Sequence, residues 1–269
     1  VTIHDLWLAR HPEYSRKLLG QAGSSRRAIA TANRARKVVT VSEFSAREIE
    51  SLYGIPRDHV RVIHNGVSED FTPLCNDQIR AEVRTRWSIP PAGFILFVGG
   101  ADPRKNHVGF LQAVASCRSQ LGGRAIVLVG DAEHPQGSYA ATATSLGLAQ
   151  DVRCTGRLDR EDLRRLYSCT DLFVFPSRYE GFGMPVLEAM ACGAPTITSS
   201  TSSLPEVAGD AALLVDPDDV EGLGRAMVIA LSDTTLRENL RQRGYERAKF
   251  FTWQRAALST SALYRELCA

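Results

Sequence analysis

Long apolar runs are missing from this 269-residue chain: the longest, Phe94–Val98 and Ala125–Val129, are strand-length, far short of the ~20 residues that cross a bilayer. A dominant charge is missing too. The 32 Lys and Arg face 30 Asp and Glu, a net charge of +2, and so even a balance does not mark a nucleic-acid binder. The 6 cysteines, Cys75, Cys117, Cys154, Cys169, Cys192 and Cys268, include no C-x-x-C pair, so neither a zinc nor a redox site is expected from spacing. Most lie in apolar stretches and read as buried free thiols, which goes with a reducing cytoplasm. No signal-peptide pattern, internal repeat or low-complexity segment is visible. With 44% hydrophobic and 23% charged residues, wholesale disorder is excluded. The length suits two domains with a sizeable core.

What is present is alternation. Strand-like apolar runs at 1–3, 38–41, 60–63, Phe94–Val98, Ala125–Val129, 152–154, Leu172–Phe175, 196–198 and 211–215 alternate with helix-like stretches at 15–36, Glu43–Tyr53, 106–120, 138–146, 160–168 and 185–192. From Val220 onward the pattern is helical. Strands apolar on both faces between helices predict a parallel sheet covered on both sides, an α/β architecture of the doubly wound type. From 68 to 91 the pattern lapses, punctuated by Pro73, Pro90, Pro91 and Gly93, and reads as irregular. The expected organisation is a first domain at 1–74, a linker at 75–91, a second domain at 92–249, and a C-terminal helix at 250–269 packing back toward the first domain. The first part holds only three strand-like runs, against about five or six in a typical sheet. It therefore reads as the second half of a domain whose beginning is absent, with an apolar edge expected to be exposed around 1–3 and 38–41.

The sharpest feature follows the strand at Leu172–Phe175: Pro176-Ser177-Arg178-Tyr179-Glu180-Gly181-Phe182-Gly183-Met184-Pro185-Val186-Leu187-Glu188. Pro185 suits a first helical position, where its missing N–H costs nothing. Glycines at 181 and 183 let the backbone approach a ligand closely, and the free N–H groups of a helix start attract phosphate. Glu180 precedes the glycine loop and Glu188 lies in the helix, so the two carboxylates can flank a ligand and accept hydrogen bonds from sugar diols. Each residue alone also fits a tight turn or a solvated helix start; together they agree as a site should. A second strand, Phe94–Val98, runs into Gly99-Gly100-Ala101-Asp102-Pro103-Arg104-Lys105-Asn106-His107. There Arg104 and Lys105 would neutralise a diphosphate, and Asn106 can cap the next helix. In a parallel sheet both loops emerge at the carboxyl ends of the strands, where ligands bind. A third feature is His4 at the end of the strand at 1–3, placed either to line a cleft or to pack at a sheet edge. Asp216-Pro217-Asp218 is nominally a D-x-D metal motif, but it reads as a turn leading into a helix, with no metal site expected.

The E-x7-E string from Glu180 to Glu188, with Arg104-Lys105-Asn106, Val62-Ile63-His64-Asn65-Gly66-Val67 and Val41-Ser42-Glu43-Phe44-Ser45, resembles the retaining glycosyltransferases of family 4. The resemblance covers nearly the whole chain. It implies the GT-B fold, two Rossmann-like domains with the site in the cleft, the N-terminal one incomplete in this chain. It also implies transfer of a sugar from a nucleotide-sugar co-substrate with retained anomeric configuration, no metal and no other cofactor. Carried over by position, His4, Lys105 and Glu180 match the catalytic residues: His4 contacts the sugar from the other domain, Lys105 approaches the transferred sugar, and Glu180 holds its hydroxyls. Glu188 matches the acid on the donor ribose, and Arg104 and Lys105 match the cations on the diphosphate. Gly100, Gly181, Phe182, Gly183, Met184 and Leu187 match the donor-binding loops, and Arg157 and Leu158 the stretch lining the base. The family picture is front-face attack, a donor phosphate oxygen taking the acceptor's proton.

The segments Thr2-Ile3-His4-Asp5-Leu6-Trp7 and His11-Pro12-Glu13-Tyr14 resemble mannosyltransferases of bacterial polysaccharide synthesis, which points to GDP-mannose and to a glycan or lipid-linked acceptor. The family's N-terminal glycine loop has no counterpart in this sequence, so the chain is expected to be a fragment. The rival functions are a non-catalytic nucleotide-sugar-binding fragment and a nucleotide-sugar epimerase of the same architecture. Arg10, Arg16, Lys17, Arg26, Arg27, Arg34, Arg36 and Lys37 lie on or beside one helix-like stretch with a single acid, Glu13. They read either as a solvated face or as peripheral contact with an anionic membrane on the inner, cytoplasmic side. No nucleic-acid partner is expected.

Overall fold

The computed structural model describes residues 1–11, 24–130, 133–134 and 137–269. Two α/β lobes follow each other. The first begins with β1 (Thr2–Ile3), α1 (Trp7–Arg10) and α2 (Ser24–Arg34), continues with β2 (Val38–Thr40) and α3 (Glu43–Tyr53), and ends with β3 (Val60–Val62). Its strands form a parallel three-stranded sheet in the order β1-β2-β3. Leu6, Ala32, Val38, Ala46, Ile49, Ile55 and Val60 make its core. Ser42 caps α3 by accepting from the Ser45 N–H, and Gly54 ends the helix at φ 66°, a left-handed position that glycine occupies without steric cost. Val1 is exposed, but β2 is the central strand, Val38 packs in the first-lobe core, and Val41, just past β2, packs in a core cluster of the second lobe, so the apolar edge expected at 38–41 is covered.

The stretch read as irregular contains a helix, α4 (Asp77–Arg86), capped by Asn76, whose Oδ1 accepts from the Ile79 N–H at 2.8 Å. Val83 is its one buried residue, so no apolar stripe announces it in the sequence.

The second lobe runs β4 (Phe94–Val98), α5 (His107–Cys117), β5 (Ala125–Val129), β6 (Glu133–His134), β7 (Gly137–Ser138), α6 (Tyr139–Ser145), β8 (Val152–Gly156) and α7 (Arg160–Cys169). It continues with β9 (Leu172–Phe175), α8 (Met184–Ala191), β10 (Thr196–Ser199), α9 (Leu204–Ala208), β11 (Leu213–Val215), α10 (Val220–Ser232), α11 (Thr234–Ala248) and α12 (Trp253–Cys268). β6 and β7 form a small antiparallel pair, and the other strands make a six-stranded parallel sheet ordered β11-β10-β9-β4-β5-β8. Side chains alternate across it. Ile95, Phe97, Ile126, Leu128, Leu172 and Val174 pack with α5 and α10 on one face. Leu96, Val127, Phe173 and Phe175 pack with α7, α8 and α9 on the other. Burial on both faces is why these strands read as unbroken apolar runs.

α12 returns to the first lobe. The Val67 N–H donates to the Phe251 carbonyl at 2.9 Å, and Arg61 pairs with Glu266 at 2.7 Å. No helix among the described residues is long and apolar enough to cross a membrane.

Candidate active site

β4 and β9 are neighbours, with Ile95 beside Leu172 and Leu96 beside Phe173. From β4 the chain builds β5 and β8 on one side, then returns to lay β9 on the other. This is the reversal point at which open parallel sheets leave a crevice for ligands, and the loops carrying both sequence motifs flank it.

The loop after β4 passes Gly99 and Gly100 into a short 3-10 turn, Pro103–Lys105. Asp102 shapes it: Oδ1 accepts from the Arg104 N–H at 2.9 Å, and Oδ2 accepts from Arg104 Nε at 2.9 Å and Nη2 at 2.7 Å. Burial pushes the Asp102 carboxyl up, but these bonds to Arg104 outweigh it and hold the group below the usual carboxylate range. The guanidinium also lies 5.5 Å from the centre of the Trp7 ring, so a first-lobe residue helps to orient it. Asn106 does not cap α5 with its side chain. It sits at φ 58° and donates from Nδ2 to the Pro217 carbonyl at 2.7 Å, tying this loop to the turn after β11.

The loop after β9 is fastened to the first through the Arg104 carbonyl, which accepts from the Arg178 N–H at 2.8 Å and from Ser177 Oγ at 2.9 Å. Lys105 Nζ then meets Glu180 Oε1 at 2.6 Å, with the two side chains 19% and 12% exposed. Two residues 75 apart in sequence are thus one ion pair joining the two loops, and Nζ also lies 5.2 Å from the Phe175 ring centre. Gly183, at φ 112°, starts α8, and Pro185 lies in its first turn. The Gly183 carbonyl takes the N–H groups of Val186 and Leu187 at 3.0 and 3.3 Å. The side chains of Phe182 and Leu187 are buried in the core, with Phe182 packed between His64 and Phe251 at 6.0 and 5.7 Å. Met184 is half-buried against the same core.

The first lobe docks directly on this loop. A side-chain carbon on Gly181 would lie 2.3 Å from the His4 carbonyl oxygen and 2.8 Å from Asp5 Cβ, so the glycine is required by the approach of the strand end. Ser42 Oγ donates to the Gly181 carbonyl at 2.7 Å. The His4 side chain is exposed at the end of β1, with its backbone against Gly181. Tyr179 inserts between the lobes: its hydroxyl accepts from the Leu6 N–H at 3.0 Å and donates to the buried Glu48 carboxylate, itself paired with Arg10. Burial, then Glu48, push the phenol well above its ordinary pKa. On α9, Glu206 accepts from the N–H of Glu43 at 2.9 Å and of Phe44 at 3.3 Å, and pairs with His64 at 2.7 Å. A second-lobe carboxylate therefore caps the first-lobe helix α3.

Glu188 lies on α8, and its Oε2 accepts from the hydroxyl of the fully buried Tyr167 at 3.3 Å. Burial pushes the Glu188 carboxyl up to about 7, against the opposing influence of the Tyr167 bond and Arg160. Arg157 and Leu158 follow β8, two strands from β4, with Arg157 exposed and Leu158 packed on the core. The D-x-D forms the turn after β11. Asp216 Oδ1 accepts from the Asp218 N–H at 2.9 Å, Asp218 Oδ1 accepts from Arg178 Nε at 2.9 Å, and Asp219 caps α10. Among the described residues, no three His, Cys, Asp or Glu side chains converge as a metal site would require.

Of the basic residues near the first strand, Arg16 and Lys17 lie outside the described residues. Arg10 pairs with Glu48, Arg36 donates to the Leu267 carbonyl, and Lys37 donates to the Asp58 carbonyl at 2.7 Å. The cysteine expectation is corrected in part. Cys117, Cys169 and Cys192 are buried, whereas Cys75, Cys154 and Cys268 are exposed.

Sequence reasoning passed over Tyr167, Tyr179 and Glu206. Tyr179 is adjacent to the E-x7-E string, a cue that it sits at the site; the other two carry no local signal.

Residues 81–247 match the family described as Glycosyl transferases group 1, and residues 1–71 match the one described as Glycosyltransferase Family 4. O-antigen chain mannosyltransferase B of Escherichia coli is 32% identical over 268 residues, covering 99% of this chain and 70% of that protein. A serotype-specific mannosyltransferase of Escherichia coli is 34% identical over 234 residues, 85% of this chain but 28% of that protein's length. Among solved structures, the Anabaena protein Alr3699/HepE in complex with UDP-glucose superposes with a TM-score of 0.82 at 22% identity, covering 98% of this chain and 71% of that one. That likeness concerns the fold, the two-lobed GT-B arrangement, here with the N-terminal sheet the smaller.

Proposed function

The chain belongs to the glycosyl transferases of group 1, enzymes that move a sugar from a nucleotide-sugar donor to an acceptor, and on that premise we propose retaining, metal-independent transfer of mannose from GDP-mannose to a glycan or lipid-linked acceptor. The observation that carries the reading is the meeting of Lys105 and Glu180 beside Arg104, at the sheet's reversal point. In this reading Arg104 and Lys105 face the donor diphosphate and Glu180 the sugar. The start of α8 offers N–H groups to phosphate, and Glu188 takes the ribose hydroxyls. Negative charge builds on the departing diphosphate, and preorganised cations and N–H groups stabilise it where it forms. No side chain then has to act as nucleophile. His4 contacts the sugar from the first lobe, and Arg157 and Leu158 line the base. The names of two mannosyltransferase relatives support the choice of sugar.

Calorimetry across a donor panel tests the reading first, followed by incubation of the preferred donor with a mannose-bearing acceptor and NMR of the product. Expected are preference for GDP-mannose and an α-linked product from the α-linked donor. An inverted product, or no binding of any nucleoside diphosphate sugar, overturns the proposal. Binding without transfer on any acceptor favours the non-catalytic alternative, and conversion of donor alone favours the epimerase. The basic residues of α2 extend the proposal to the acceptor side, as a contact with anionic lipid. Each such residue near an anionic surface contributes about 1 kcal/mol, screened by salt. Co-sedimentation with anionic but not neutral vesicles, lost in high salt, is the expected result; equal retention by both rejects the contact.

A further inference from the structure

Cys75 and Cys169 are 94 residues apart in sequence, yet their Sγ atoms lie 3.0 Å apart. Cys169 is the last residue of α7 and is buried; Cys75 precedes the cap of α4 and is exposed. The surroundings hold the pair in place. Residues 72–75 form a strap between the lobes laid along α7. Arg164 donates to the Thr72 carbonyl at 3.0 Å and to Thr72 Oγ1 at 2.6 Å, and the Leu74 N–H donates to Ser168 Oγ at 3.0 Å. Arg80 Nη2 stands 3.3 Å from Cys75 Sγ.

We infer that Cys75 and Cys169 are a reversible dithiol–disulfide pair, with Cys75 the attacking thiolate, Cys169 the resolving thiol, and a low-molecular-weight disulfide as oxidant. The proposed transfer reaction uses neither thiol, so the inference stands apart from it. Three conditions for such chemistry meet here: an attacking cysteine that is an exposed residue, a cationic neighbour, and a second thiol within contact. The hydrogen bond from Cys169 pushes the Cys75 thiol down to about 6, against its partial burial and with help from Arg80 and Arg241. The same contact, then burial, push Cys169 up, with Arg80 and Arg165 opposing. The contact thus favours the thiolate on Cys75 and the thiol on Cys169.

The steps balance. Cys75 thiolate attacks one sulfur of the oxidant, forming a mixed disulfide and expelling one small thiolate. That thiolate takes the Cys169 proton. Cys169 sulfur then attacks Cys75 Sγ, forming the protein disulfide and expelling the second small thiolate, which is protonated from solvent. Two protein thiols lose two electrons and the oxidant becomes two thiols. The new bond fastens the interlobe strap to α7 and closes a ring from residue 75 to residue 169.

The experiment uses the whole chain, native, with oxidised glutathione and peptide mapping by mass spectrometry. Expected is a peptide cross-linked between Cys75 and Cys169 that carries no glutathione, reverses with dithiothreitol, and raises Tm by several degrees. In Cys169→Ser, glutathione should remain on Cys75 as a mixed disulfide. Cys75 should also be alkylated faster than exposed Cys154 and Cys268 at about pH 6.5, where an ordinary thiol of pKa ~8.5 is only about 1% ionised. Glutathione persisting on wild-type Cys75 without the cross-link, or alkylation of Cys75 no faster than of Cys154 and Cys268, overturns the inference.

Discussion

Lys105→Ala is expected to lower kcat for sugar transfer by at least about 10²-fold, the scale set by removing one preorganised charge-stabilising group from an active site. The loss should fall more on kcat than on donor Kd, because the diphosphate gains negative charge as its bond to the sugar breaks and the ammonium acts most strongly on that charge. Without donor, Lys105 is already neutralised by Glu180 at 2.6 Å. In the proposed function, donor binding redirects Nζ from the carboxylate toward phosphate, which leaves Glu180 free to accept from sugar hydroxyls. In Lys105→Ala the Glu180 side chain, 12% exposed, loses its countercharge, and some loss of stability is expected on that ground alone. The double variant Lys105→Ala/Glu180→Gln isolates the stability effect, since it removes the unpaired charge: its Tm should recover toward wild type. EDTA should leave wild-type activity intact, since Arg104 and Lys105 supply the positive charge. Near-wild-type kcat in Lys105→Ala, or activity abolished by EDTA and restored by Mg²⁺ or Mn²⁺, would remove Lys105 from this role. Asp216 and Asp218 are poorly placed to take over, being engaged with the Asp218 N–H and with Arg178.

How much of this was legible before the structure depends on the range of the interaction. The strand at Leu172–Phe175 and the glycine turn after it are local patterns, and the unbroken apolar runs of β4, β5 and β9 are a local consequence of being covered on both faces. Such features are written in consecutive residues and were read correctly. α4 was missed because a solvated helix with one buried residue lacks the apolar stripe that signals the others. The Lys105–Glu180 pair joins two motifs the sequence displays, but the contact itself depends on β4 and β9 being neighbours. At Gly181 the sequence suggests a close backbone approach to a ligand, and the structure adds a second, non-local demand for glycine, since its Cβ position is filled by the His4 carbonyl of the other lobe. Glu206 capping α3, and Cys75 against Cys169, are contacts 163 and 94 residues apart in sequence, and spacing rules such as C-x-x-C cannot see them.

Donor affinity is expected to improve about tenfold from pH 6 to pH 8, because a group with pKa about 7 goes from roughly one-tenth to nine-tenths ionised and the apparent Kd scales with the competent fraction. The group is Glu188. Burial lifts its carboxyl from 4.5 to about 7, while Tyr167 and Arg160, both from α7, pull the other way. In the proposed function it accepts from ribose hydroxyls, a task for which the carboxylate, as an acceptor carrying charge, is stronger than the neutral acid. The stability of the free protein should move in the opposite direction. The folded state binds this proton more tightly than the unfolded state, so the group's contribution is fully present below pH 4.5 and is lost as pH rises through about 7. The loss amounts to roughly 3 kcal/mol. Glu188→Gln should remove both dependences, giving weaker donor binding that is flat with pH. Tyr167→Phe is the sharper variant, since it deletes only the hydroxyl that donates to Glu188 Oε2 at 3.3 Å. Without that donor the carboxylate is less favoured, so the midpoint of the binding profile should move above 7 while kcat at saturating donor and high pH is retained. A simple packing defect at Tyr167 would lower Tm and leave the midpoint in place. A flat wild-type profile, or an unmoved midpoint in Tyr167→Phe, would mean that Glu188 does not meet the donor as a carboxylate held by Tyr167.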